Sequence, residues 1–234
     1  MEFTCLIVKE YFIEELDLNY FIGVNRVHID IKQVSDHNAI FKEEEALKFL
    51  LNLIKGIQDD ASGSVIQLIK EKYVLNLDHI YLANYYVQKA FAQKTNISKK
   101  KNIELLLYLS THRQISKGFE SFGIDYSDLE RGELLICIIS PINNLEKISM
   151  KILKEFNAVE IELGINKMTI EKIKRIKKFY KFSESQIKSV QNSYGIQKNN
   201  LQALVENLDD SSSFLFDLIC EKMALLNLEK KSQG

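Results

Sequence analysis

Apolar and polar positions alternate at residues 27–32, where Val27, Ile29 and Ile31 are separated by His28, Asp30 and Lys32. A period of two is the pattern of a strand with one wet face. Residues 1–9 form a shorter strand candidate. From 39 to 55 the period becomes helical, with Phe41, Ala46, Phe49, Leu50, Leu53 and Ile54 on one stripe. A turn at 59–64, holding Gly63, leads into a β-branched strand at 64–70. Residues 78–91 read as a helix capped by Asp78, with Ala83, Val87 and Ala90 or Phe91 on one side. A polar, basic loop at 92–101 separates it from a second helix at 102–110. A third helix, 112–122, carries Ile115, Phe119 and Phe122 on one stripe and closes at Gly123.

Residues 133–140 are almost continuously apolar, as in a strand covered on both faces, and Pro141 stops them. A helix at 143–156 and an alternating strand at 158–163, toward a sheet edge, follow. Beyond Gly164 the pattern is helical throughout, at 169–181, 183–192, 199–207 and 211–230, with Ser183 and Gln186 fitting a capping box. The expected fold is α+β (mixed α/β): a small four- to five-stranded sheet packed with helices, then a helical C-terminal third. The expected organisation is an α/β core at 1–164 and a helical region at 165–234 packed on it as one unit.

Composition removes several function classes. With one proline and nine glycines in 234 residues, low complexity and long linkers are out. A net charge of −1 gives no global pull toward nucleic acid, so such binding has to come from local patches. Cys5, Cys137 and Cys220 are far apart, without zinc-site spacing, and read as reduced thiols of a reducing compartment. The start of the chain lacks signal-peptide character, and the longest nearly uncharged run, 134–145, is too short for a bilayer. The expectation is a soluble cytoplasmic protein, with the nucleus open to a eukaryotic one.

Motifs for dinucleotides, P-loop phosphates or a nucleophile elbow are absent. The four histidines, at 28, 37, 79 and 112, share no metal-ligand spacing, and residues 43–45 are three glutamates beside Lys42 and Lys48, a solvated helix face. No catalytic residue, cofactor or metal is expected. An enzyme with a dispersed site stays as an alternative.

Two features suit binding. Residues 89–117 hold Lys89, Lys94, Lys99, Lys100, Lys101, Arg113 and Lys117 against Glu104 alone, a local balance of +6. Such clustering serves phosphate contacts, or else marks a solvated loop. A second basic stretch, 167–188, interleaves its lysines with Ile170, Ile173, Ile176 and Phe179, and reads mostly as the wet side of an amphipathic helix. The last helix is apolar on several sides through Phe214, Leu215, Phe216, Leu218, Ile219, Met223, Leu225, Leu226 and Leu228, so it has to be covered on several sides, by its own lobe or by a partner.

The segment 105–124, LLLYLSTHRQISKGFESFGI, closely resembles the small kinase-binding subunit family of the KEOPS (EKC) tRNA-modifying complex, the Cgi or PRPK-binding protein family. That family has a helix of the form LLYLS, a turn with R-Q-I, and an amphipathic helix ending in F-G-I. Upstream, 72–91 (KYVLNLDHIYLANYYVQKAF) agrees in order and spacing, and ICEKMALLNLEK near the end resembles the family's closing helix. The chain is longer than compact members around 38–63 and 181–208, and Thr111 stands where glycine is common.

The resemblance implies a non-catalytic adaptor. Family members bind the amino lobe of the complex's kinase/ATPase and help recruit tRNA by its 3′ CCA end, while another subunit installs threonylcarbamoyl on adenosine. Carried onto matching positions, Arg113 and Gln114 become RNA contacts, with Lys89 and Lys94 on phosphates. The alternative for Arg113 and Gln114 is to cap the preceding helix or bridge two helices. The last helix becomes the kinase dock, with Leu215, Met223 and Leu226 facing outward. On this reading the RNA and kinase sites lie on separate segments. A protein-only scaffold is the other alternative.

Overall fold

A computed structural model describes residues 5–30, 43–61, 63–194 and 208–228. The chain divides into two compact units, Met1–Glu71 with Gly123–Leu163, and Lys72–Phe122 with Gly164–Gly234. Residues 72–122, assigned from sequence to an N-terminal core, group instead with the C-terminal helices.

The first unit is built on an antiparallel sheet ordered β1–β2–β4–β3. Strand β1 (Ile7–Ile13) returns through a tight turn, with Asp17 in the left-handed region, into β2 (Leu18–His28). Beyond a helix α1 (Glu43–Asp60) come β3 (Val65–Ile69) and, later in the chain, β4 (Glu133–Ser140), which pairs with both β2 and β3. The short β5 (Val159–Ile161) pairs only with the end of β2, the edge position its alternation suggests. Ile31 and the start of the helix expected at 39 lie outside the described residues, as does the piece at 199–207.

Strand β2 is the element the pattern missed. Asn19, Gly23 and Asn25 interrupt its apolar run. Two of them have a packing reason: Asn25 is buried and donates to Ser149 (2.9 Å) and Glu160 (3.0 Å), and a Cβ at Gly23 would meet Leu6 at 3.0 Å and Leu145 at 3.2 Å. One sheet face (Leu134, Ile136, Ile138) packs on Leu50 and Ile54 of α1 and on Leu145, Ile148 and Ile152 of a helix at Leu145–Glu155. Gly132, at φ 72°, precedes β4, and a Cβ there would sit 2.4 Å from the Ile29 carbonyl. Only glycine fits.

The second unit is helical. Helix α2 (Leu77–Ala92) begins at Asn76, whose side chain accepts from the His79 N–H at 2.9 Å. Asp78, the cap expected from sequence, lies in the first turn instead. Helix α3 (Lys101–Ser110) is buried without a break from Glu104 to Ser110, so it needs neighbours on every side. Helix α4 (Ile115–Phe122) follows it; α5 (Tyr126–Arg131) and α6 (Leu145–Glu155) belong to the first unit. Helices α7 (Ile170–Tyr180), α8 (Glu184–Ser193) and α9 (Leu208–Leu228) complete the second. The capping box of Ser183 and Gln186 is present at the start of α8.

A buried polar chain ties three of these helices. The Leu75 N–H donates to His79 Nδ1 (3.2 Å), and Tyr180 Oη donates to the Leu109 carbonyl (2.6 Å). Tyr180 Oη also lies 3.3 Å from His79 Nε2, so the imidazole is the neutral tautomer with its proton on Nε2, donating to the tyrosine oxygen. Burial pushes the His79 pKa down from 6.5 to about 3. Because the folded pKa is depressed, the unfolded chain takes up this proton first as pH falls. His79 therefore costs nothing above about pH 6.5 and removes up to about 1.4 kcal/mol per pH unit below it, down to about pH 3. Urea unfolding from pH 7 to 5 should show this loss, and His79→Gln should flatten it. Equal slopes in both proteins would show that His79 does not carry it.

Candidate nucleic-acid and partner interface

The last four carbonyls of a helix have no partner within it, and α3 ends inside the protein. All four are satisfied by named groups. The His112 N–H donates to the Leu107 carbonyl (3.2 Å) and the Thr111 N–H to that of Tyr108 (3.1 Å), the paired bonds of a Schellman turn. Tyr180 serves Leu109, and His112 Nδ1 donates to the Ser110 carbonyl at 2.7 Å. A carbonyl only accepts, so Nδ1 carries the His112 proton. The turn needs a left-handed residue, and Thr111, at φ 54°, supplies it without being glycine.

This geometry aims the next two residues. Arg113 is half-buried, and its Nη1 donates to the Leu226 carbonyl at 3.1 Å. Leu226 lies in the last turn of α9, where a cation opposes the negative end of the helix dipole. Gln114 is exposed, and its carbonyl accepts from the N–H groups of Lys117 and Gly118 at the start of α4. These bonds tie Arg113 to α9 and set the Gln114 carbonyl at the start of α4; neither is a cap of the preceding helix α3. Between the turn and α9 is a groove of about 450 Å³ lined by Thr111, His112, Arg113, Gln114, Lys222, Leu225 and Leu226. The segments that the sequence reading gave to separate partners both line this groove.

The other sequence candidates fall elsewhere. Lys89 and Lys94 do not line the groove. Lys89, on α2, sets its ammonium over the Tyr85 ring, 5.5 Å from the centroid, and 3.3 Å from the Tyr85 hydroxyl. Lys94 is exposed and left-handed, φ 56°, in the Schellman turn that ends α2. The local charge of +6 is also smaller in effect than its count. Lys101 donates to Gln88 (2.7 Å), and Lys117 pairs with Glu120 (3.0 Å), just past the counted segment. Glu104 is turned inward, accepting from the Ile97 and Ser98 N–H groups, and holds the loop.

Leu215, Met223 and Leu226 are 1%, 0% and 5% exposed, so none faces outward as expected. Helix α9 packs on α2, α3, α7 and α8, which covers the apolar sides that the sequence left open to a partner. The exposed leucine is Leu225, at 48%. The α4 stripe is corrected similarly: Phe122 is internal, while Ile115 and Phe119 are 43% and 46% exposed. Gly123 does not take the left-handed form expected of it. Sequence reasoning missed His112, Lys222 and Leu225. Only the position of His112 beside Arg113 could have signalled any of them.

Among the described residues no group of three or more His, Cys, Asp or Glu could hold a metal ion, and no helix is long and apolar enough to cross a membrane. Donors, cations and an exposed leucine thus line one groove on an α+β protein. The chain belongs to the kinase binding protein CGI-121 family, whose model matches residues 33–227. That membership supports a kinase-binding adaptor role. No curated protein matches the chain significantly.

Two substitutions separate support from contact. Arg113→Ala removes one hydrogen bond and a helix-end cation, and should lower stability by about 1 kcal/mol. Leu226→Ala empties a buried position and should cost about 2–5 kcal/mol. Urea denaturation checks both, and a Leu226→Ala protein as stable as the parent would return Leu226 to the surface.

Proposed function

We propose that this protein is the kinase-binding adaptor subunit of the KEOPS complex, a cytoplasmic protein that supports the kinase/ATPase and helps hold tRNA by its 3′ CCA end. The observation that carries this reading is the groove itself. The R-Q-I turn and the closing helix, the two blocks that most resemble the family, line it together. Arg113 and Lys222 supply positive charge there, and the guanidinium fork suits phosphate or a base edge. Leu215, Met223 and Leu226 act from inside by fixing α9, and Leu225 with Ile115 and Phe119 offers the kinase an apolar contact.

The test has two arms. In co-purification with the kinase, Leu225→Asp should lose the partner while melting like the parent protein. Retention would remove Leu225 from the dock. In a mobility-shift assay the parent protein should bind intact tRNA more tightly than tRNA trimmed of CCA. Arg113→Ala should abolish the difference. If trimmed and intact tRNA bind alike, the protein is a kinase adaptor in which Arg113 only ties the turn to α9.

A further inference from the structure

The basic stretch at 167–188 looks in sequence like the wet side of a helix, but the fold sorts its charges. Lys172 turns inward onto the Ile165 carbonyl, and Lys177 pairs with Glu184. Lys174, Arg175 and Lys178 stay exposed on α7. Arg175 Nε donates to the Lys72 carbonyl at 2.7 Å, which fixes exposed Lys72 beside the same helix. These cations flank three half-buried, nearly parallel rings. Tyr73 stacks on Phe179 at 4.1 Å and 16°, and Phe179 faces His112 at 6.3 Å and 18°. His112 also lines the groove, and its ring is held by the Nδ1 bond to Ser110. The groove and the α7 cations are therefore joined by an ordered row of aromatic rings.

Cations that follow a backbone, with rings on which bases stack, are the combination used for single-stranded nucleic acid without sequence preference. An acidic peptide would need the cations but gain nothing from the rings. The geometry points to a second nucleic-acid surface, in which His112 stacks a base and Arg175, Lys178 and Lys72 contact phosphates of a single strand leaving the groove. This deepens the proposed tRNA reading and rests on it for the strand's direction. It makes the footprint longer than the three terminal nucleotides, with no sequence requirement along α7.

The probe is a fluorescein-labelled dodecamer of oligouridylate, which has no CCA, read by anisotropy across a salt series with the full chain. Lys178→Gln, at an exposed position, should reduce the slope of log affinity against log salt by about 0.7, the single-strand value for one phosphate. His112→Leu should weaken binding roughly tenfold at unchanged slope, as expected for one lost base stack. His112→Phe should restore most of that affinity. Both His112 variants lose the Ser110 bond, so their difference reports the ring and not the turn. Unchanged affinity and slope in Lys178→Gln and His112→Leu would overturn the surface. So would displacement of the RNA by polyglutamate at equal charge with no effect of His112→Leu, which would make α7 a site for acidic protein. If tRNA binding needs CCA yet ignores these substitutions, the groove reading stands and this surface falls. Dodecamer binding that needs Lys178 and His112, in a protein indifferent to CCA, would uphold the surface and sink the CCA reading.

Discussion

The burial of α3 is the constraint on which the candidate interface depends. A helix sealed from Glu104 to Ser110 cannot leave its last carbonyls to water. Two N–H groups of the following turn, the His112 ring and the Tyr180 hydroxyl satisfy them. The solution forces Thr111 into the left-handed region, at a cost of order 1–2 kcal/mol. It also leaves the chain no freedom over where His112 and Arg113 point. The geometry of the turn is thus the by-product of a desolvation problem, and the His79–Tyr180 chain supports it from behind.

Part of the charge that looks available in sequence is engaged structurally. Lys101, Lys117, Lys172 and Lys177 each have a partner within the chain, and Glu104 holds its own loop. The cations placed at the candidate surfaces are Arg113 and Lys222 at the groove, and Lys174, Arg175 and Lys178 along α7. Surface charges act over about a Debye length, roughly 8 Å in physiological salt, so position matters more than the sum.

Periodicity made the elements legible wherever an element's own residues decide its state. Strand β4 matches its expected bounds, 133–140, and the α8 capping box falls where Ser183 and Gln186 put it. Strand β2 was hidden because Gly23 and Asn25 answer to residues far along the chain, Leu145, Ser149 and Glu160. Helix ends were hard for a related reason. Lys94, Thr111 and Lys181 all take the left-handed position after a helix, and none carries the glycine signal. The apolar excess of α9 was visible, but not which neighbours cover it. Leu226 and Leu225 are adjacent in sequence, and only packing makes one core and the other surface.

The Arg113–Leu226 bond does not set a structural role against a binding role. A guanidinium has five N–H donors in a rigid plane, and the bond to Leu226 uses one, from Nη1. The others can meet a phosphate or base edge without releasing the helix. An arginine already held at one end also loses less side-chain freedom on binding than a free one, by up to about 1 kcal/mol on the usual cost of immobilising such a chain. On the proposed reading the bond therefore preorganises the contact. The end of α9 and the ligand share a single side chain, so a shift of that helix would be felt at the turn. On the proposed reading, in which a kinase and an RNA strand share one groove, this residue is the physical link between the two.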